Sequence, residues 1–213
     1  MKIIMLGAPG AGKGTQAEIL CRKLSIPTIS TGNILRAAIK AGTPTGKLAE
    51  SFMKDGKLVP DEVVFGMIRE RLGEADCAKG FILDGFPRSI PQAQALEAMG
   101  ITIDMALSLE VADEKIVQRM SGRRVCPACG MTYHVDFKPS EDNKHCDACK
   151  AELIIRKDDH PDTVLDRLKT YHETTEPLKA FYDAKGKLVT VEGQEELAET
   201  TKATFEAIEA KLK

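Results

Sequence analysis

Apolar positions along this chain follow two rhythms that alternate from one end to the other. Short apolar runs at Ile3–Leu6, Phe81-Ile82-Leu83, Met105-Ala106-Leu107 and Leu188-Val189-Thr190-Val191 have the length of buried strands, and Thr28-Ile29-Ser30 is a weaker fifth. Between them, apolar residues recur at helical spacing: Ala17/Leu20/Cys21/Leu24, Ile34/Leu35/Ala38/Ile39, Val64/Met67/Ile68/Leu72, Ile116/Val117/Met120 and Val164/Leu165/Leu168. Asp61 before Glu62, Asp113 before Glu114, and Pro161 mark helix starts. Strands alternating with helices predict an α/β fold, a mostly parallel sheet covered on both faces.

Two segments leave this rhythm. Residues 30–60 read as two or three short helices with turns at Gly42-Thr43-Pro44 and Asp55-Gly56, and residues 122–159 are polar with paired cysteines. Each reads as an excursion from the sheet that can form a small mobile lobe. A length of 213 residues fits one α/β domain with insertions, or at most two domains.

The first strand runs straight into Gly7-Ala8-Pro9-Gly10-Ala11-Gly12-Lys13-Gly14-Thr15. Glycines at 7, 10, 12 and 14 let the backbone turn so that several N–H groups point into one concavity. The helix expected from Thr15 to Leu24 would aim its positive end there, and Lys13 adds a full charge. Gly10, Ala11, Gly12, Lys13, Gly14 and Thr15 are thus expected to cradle a nucleotide polyphosphate. The pattern departs from G-x-x-x-x-G-K-[ST] at one place: Gly14 follows Lys13 and the hydroxyl comes at Thr15, so the motif alone assigns no hydroxyl to Mg²⁺. A plain glycine-rich turn is the alternative, disfavoured by the order strand, loop, lysine, helix.

Composition narrows the partners. A formal charge of −2 argues against a general nucleic-acid surface. No run approaches a membrane span, and the first apolar run is too short for a signal peptide, so a soluble cytosolic protein with reduced or metal-bound cysteines is expected. Cys126-Pro-Ala-Cys129 and Cys146-Asp-Ala-Cys149 have the spacing of a four-thiolate zinc site. With all four positions filled by protein, that metal would be structural, and His134 and His145 are not needed as ligands. Disulfides or idle thiols are the alternatives. Cys21 lies on an apolar helix face and is expected in the core.

Asp84-Gly85-Phe86-Pro87-Arg88 follows the run Phe81–Leu83. An acid at the carboxyl end of a buried strand stands on the rim where α/β sheets bind ligands, and beside a phosphate loop it can approach Mg²⁺ through the ion's waters. A turn-capping role is the alternative. With GAPGAGKGT at 7–15, STGNILR at 30–36, GKLVPDE at 56–62, DGFPR at 84–88 with Gln92, GRRVCPACG at 122–130 and RKDDHPDTVLDRL at 156–168, the sequence resembles the adenylate kinase family, in the long form whose lid carries zinc.

That resemblance spans nearly the whole chain. It implies a P-loop nucleoside-monophosphate kinase with five parallel strands flanked by helices. The core would be 1–29, 60–121 and 160–213, with a mobile AMP-binding insertion at 30–59 and a mobile zinc-binding lid at 122–159. The implied reaction is reversible phosphoryl transfer from ATP to AMP giving two ADP, by a cytoplasmic monomer using Mg²⁺ with ATP, without nucleic-acid or membrane partners. Lys13, Asp84, Arg88, Arg123, Arg156 and Arg167 are then the expected catalytic set, with Arg36 and Arg88 on the AMP phosphate and Arg123, Arg156 and Arg167 around the transferring group. Arg119, Thr132, Tyr133 and Gln194 are expected near ATP. Thr31, Lys57, Leu58, Val59, Gly85, Phe86, Pro87 and Gln92 are expected around AMP, which Arg156 and Arg167 are also expected to reach.

None of the ten arginines lies after Arg167 although lysines continue to the end, a skew that fits phosphate binding. Asn33 stands where many relatives carry Asp. Asp158 and Asp159 fit either lid-hinge ion pairs or a catalytic role. Rival readings are a kinase for another nucleoside monophosphate or using GTP, and an ATP-dependent zinc protein that grips nucleic acid.

Overall fold

The computed structural model describes residues 1–212 of the chain. In order the elements are β1 (Lys2–Leu6), α1 (Lys13–Leu24), β2 (Thr28–Ser30), α2 (Thr31–Lys40), α3 (Pro44–Lys54), α4 (Asp61–Leu72), β3 (Phe81–Asp84), α5 (Ile90–Ala98), β4 (Met105–Glu110) and α6 (Asp113–Gly122). A two-stranded ribbon, β5 (Arg123–Val125) and β6 (Thr132–His134), precedes α7 (Pro161–Thr170), α8 (Leu178–Asp183), β7 (Leu188–Glu192) and α9 (Leu197–Leu212).

All five predicted runs are strands of one parallel sheet, ordered β2-β3-β1-β4-β7. Its centre is apolar on both sides because successive side chains point to opposite faces. Ile3 and Met5 join one buried cluster with Ala17 and Leu20 of α1 and Ile116 and Met120 of α6. Ile4 and Leu6 join the other, with Ile68 of α4, Leu96 of α5 and Tyr182 of α8. The 30–59 excursion forms two helices and seats Leu35, Ala49 and Val59 in this second cluster.

Three expectations shift in detail. The first helix begins at Lys13 rather than Thr15, straight after Gly12 at φ +101°. Cys21 is only half-buried, though packed against the core. Leu165 is exposed, because Val164, Leu168 and Tyr171 at i, i+4 and i+7 take the inward stripe and Leu165 falls about 100° away from it. After Thr170 the helix widens into a π-turn over Tyr171–Thr175, a rare departure that tends to occur at functional sites.

The 122–159 segment has its own small core of Cys126, Tyr133 and Cys146, with Met131, Ala151 and Leu153 against them. So little apolar burial cannot by itself hold a lobe of this length.

Candidate active site

The sheet gathers the functional segments at its carboxyl edge. Register sets Met5, Asp84 and Ser30 side by side across β1, β3 and β2. From these points the phosphate loop, the Asp84–Arg88 turn and helix α2 all leave toward the same cavity of about 460 Å³. Gly7 is needed where the loop starts: its φ is +127° and a Cβ would lie 2.5 Å from the Leu109 carbonyl oxygen of β4. Gly85, at φ +79°, is needed because a Cβ would stand 2.9 Å from Thr31 Oγ1 and 3.0 Å from Arg88 Nη2.

Lys13, at the first position of α1, donates to the Gly7 and Ala8 carbonyls at 2.7 and 2.8 Å. The ammonium is thereby curled back over its own loop. Burial pushes its pKa down to about 8; Asp84 opposes the shift, and Arg88, Arg167 and Arg123 add to it.

The six expected arginines, Arg36, Arg88, Arg119, Arg123, Arg156 and Arg167, line this cavity from five different parts of the chain, and Arg71 of α4 is a seventh that the sequence reading did not include. Arg36 donates to Asn33 Oδ1 at 2.5 Å, Arg88 Nε to the Gly85 carbonyl at 2.8 Å, and Arg119 to the Gln194 carbonyl at 2.8 Å. Asp159 is the counterweight. Its side chain is fully buried and takes both Arg123 Nε, at 2.7 Å, and Arg123 Nη2. Arg167 reaches Asp158 at 3.0 Å and Asp159 at 3.4 Å. Two acids thus hold two of the guanidiniums in ion pairs where the 122–159 segment rejoins the core.

The cluster still carries excess positive charge. Burial first, then Arg123 and Arg36, push Arg156 down to about 9, and burial brings Arg167 to about 10. Arg156 Nε is buried and finds no partner among the described residues. A cavity that crowds cations this way is built for a polyanion.

A smaller recess adjoins it, sharing Arg36, Arg88 and Arg167, and is lined by Thr31, Lys57, Leu58, Val59, Gly85 and Gln92. Thr31 donates to the Gly85 carbonyl at 2.8 Å.

In the lid the four cysteine sulfurs lie within 4.8 Å of one another, with Cys126–Cys149 at 3.3 Å and Cys129–Cys146 at 3.6 Å. A tetrahedron with metal–sulfur bonds of about 2.3 Å has edges of roughly 3.8 Å, so the donor set fits a metal ion. The two knuckles match: Gly130 N–H donates to the Cys126 carbonyl at 3.0 Å and Lys150 N–H to that of Cys146 at 2.8 Å.

The adenylate kinase family model matches residues 5–187. An adenylate kinase of Ruminiclostridium cellulolyticum is 52% identical over 212 residues, 98% of this chain and 99% of that protein. One of Lachnospira eligens is 55% identical over 197 residues, 91% of this chain and 92% of that protein. The chain belongs to the adenylate kinase family.

Most of the residues expected at the site come together. The loop residues Gly10 to Thr15, Asp84, the six expected arginines, Thr132 and Gln194 all border the larger cavity, and the expected AMP residues other than Phe86, Pro87 and Arg156 border the recess. The Phe86 side chain is buried at 1% exposure, edge-on to Phe65 in the core, and neither Phe86 nor Pro87 lines either space. Tyr133 borders the larger cavity, but its hydroxyl turns to the sulfurs, 3.4 Å from Cys146 Sγ and accepting from Asp147 N–H at 2.9 Å.

Sequence reasoning missed several neighbours. His134 and Phe137 face the larger cavity beside Arg119, whose guanidinium lies 6.0 Å from the Phe137 ring centre. Thr175, in the π-turn, donates to the Arg88 carbonyl at 2.8 Å. No spacing rule points to Thr175, because its partner is 87 residues away.

Proposed function

We propose that this chain catalyses reversible phosphoryl transfer from ATP to AMP, giving two ADP, with ATP in the larger cavity and AMP in the recess. The observation that carries this reading is the pair of spaces joined at Arg36, Arg88 and Arg167, one beside a phosphate loop and the other beside an amide suited to a base. Two nucleotides bound there would meet phosphate to phosphate.

The AMP phosphate is already an anionic nucleophile, so no general base is required. The barrier lies in bringing negative groups into line without water. Arg36 and Arg88 would hold the AMP phosphate, and Lys13 with the Gly10–Thr15 amides the β- and γ-phosphates of ATP. Arg123, Arg156 and Arg167 would balance the charge on the transferring group, donating in pairs as guanidiniums do to phosphate. Arg119, with Gln194, would lie along the ATP adenine, and Thr132 and Tyr133 would close over it from the lid. Mg²⁺, when bound with ATP near Asp84, supplies neutralisation of phosphate charge.

The two excursions, 30–59 and 122–159, are read as moving parts on the core of 1–29, 60–121 and 160–213. Closing them excludes water, which would otherwise accept the phosphoryl group. The four lid cysteines are read as a zinc site that substitutes for the missing apolar core, since structural zinc contributes on the order of 10 kcal/mol or more to folding such lobes. No helix among the described residues is long and apolar enough to cross a membrane. With all six cysteines free and a near-balanced charge, a cytoplasmic monomer acting on small nucleotides is the reading these features support.

A coupled assay on purified protein tests this. ADP should form with ATP, AMP and Mg²⁺, and much more slowly with CMP, UMP or GMP as acceptor or GTP as donor, from protein carrying one zinc per chain. No ADP from ATP and AMP would overturn it.

A further inference from the structure

Gln92 lies on the first turn of α5, is 2% exposed and lines the recess. Both ends of its amide are engaged. Nε2 donates to Asp61 Oδ1 at 2.6 Å, and Oε1 accepts from the Arg88 backbone N–H at 2.7 Å. A carboxylate only accepts here and a backbone N–H only donates. Turning the amide over would set oxygen against oxygen at Asp61 and N–H against N–H at Arg88, so a single orientation is enforced. Each end keeps one unused position, a second N–H on Nε2 and a second lone pair on Oε1.

We propose that Asp61 is a positioning residue that sets purine selectivity, by fixing which way the Gln92 amide presents its donor and acceptor. The fixed pattern suits adenine, whose exocyclic amino group donates while a neighbouring ring nitrogen accepts. A 6-oxopurine offers an acceptor oxygen where adenine offers the donor. A glutamine free to turn over would accommodate either base; one held from both sides accommodates one. Asp61 comes from the start of α4, whose dipole favours the negative charge, so the restraint is independent of the helix carrying Gln92. The inference deepens the AMP reading given above and rests on it.

Steady-state kinetics at saturating MgATP test it, with AMP and inosine monophosphate as acceptors. For Asp61→Ala, kcat/KM for AMP should fall about tenfold, as expected for one lost charge-assisted hydrogen bond, mostly through KM. The preference for AMP over inosine monophosphate should fall by a similar factor, with KM for ATP unchanged. Asp61→Asn, whose side-chain carbonyl still accepts from Nε2, should recover most of both. An unchanged preference, or equal losses for the two acceptors, would overturn the role of Asp61 while leaving the AMP reading intact. Inactivity of the unmodified enzyme with AMP would overturn both.

Should the alanine variant fail to fold, the unmodified protein still decides. One Gln92 side-chain N–H should be shifted downfield and exchange more slowly than those of exposed glutamines by NMR; rapid exchange of both would refute the clamp.

Discussion

Lys13 shows how much one residue's chemistry depends on where its stem is buried. Its charge is present below about pH 8 and fades above it, because burial disfavours the ammonium. ATP should therefore bind the free enzyme less well as pH rises. We expect kcat/KM for ATP to fall about tenfold per pH unit above that point. The kcat profile should bend at higher pH, since a bound triphosphate stabilises the charged form. Coinciding limbs, or a flat profile to pH 9.5, would count against Lys13 as a required cation. Asp159 makes the complementary case. Removing its charge in Asp159→Asn leaves Arg123 without its buried counterion and Arg167 with Asp158 alone. A stability loss of about 3 kcal/mol in urea titration is expected. A fall in kcat on the order of 100-fold should accompany it as the guanidiniums drift. In sequence Arg123 and Arg167 are expected as phosphate binders through the family resemblance. The fully buried anchor they share is not, because burial of Asp159 depends on the lid's return packing against α7. Asp61 is similar: in sequence it reads as a helix start, and its contact with Gln92 comes from a residue 31 positions away.

At the scale of elements, alternation was the strongest signal. The inner strands β1, β3 and β4 were readable because a strand covered on both faces is apolar almost throughout, whereas the edge strands β2 and β7 bury only alternate positions and gave a weaker signal. Helix faces were readable less completely. Leu165 is apolar and correctly spaced by sequence, but the sheet takes only one stripe of α7. The π-turn after Thr170 had no sequence signal at all. The lid is an element whose fold rests on its knuckles, with three buried residues forming its centre. Replacing Cys129 and Cys149 together by Ser should lower the melting temperature by more than 10 °C, while activity at low temperature falls only a few-fold. Calorimetry beside the ADP assay checks this, and equal loss of both would show that the metal site serves the chemistry rather than the lobe. Each kcal/mol lost shifts melting by about 2–4 °C in a chain of this size, so a loss of several kcal/mol is measurable.

In the whole molecule the 122–159 segment reaches two helices, α1 and α2. Lys138 pairs with Glu18 of α1 at 3.1 Å, Lys40 of α2 reaches the Pro127 carbonyl at 3.4 Å, and Asn33 packs beneath Gly130 of the first knuckle. Asn33, which also accepts from Arg36, thus lies between the first cysteine knuckle and the Arg36 guanidinium. The order of elements, the glycine-rich loop with its lysine, and the paired-cysteine knuckles were determined by the sequence itself. Each depends on residues near one another in the chain, or on periodicities that any strand or helix imposes locally. Which hydroxyl faces the sulfurs, which phenylalanine retreats to the core, and which acids steady the arginines and the glutamine were decided only by the tertiary structure. Those outcomes follow from the direction in which a side chain leaves its element and from what another element, dozens of residues away, sets against it.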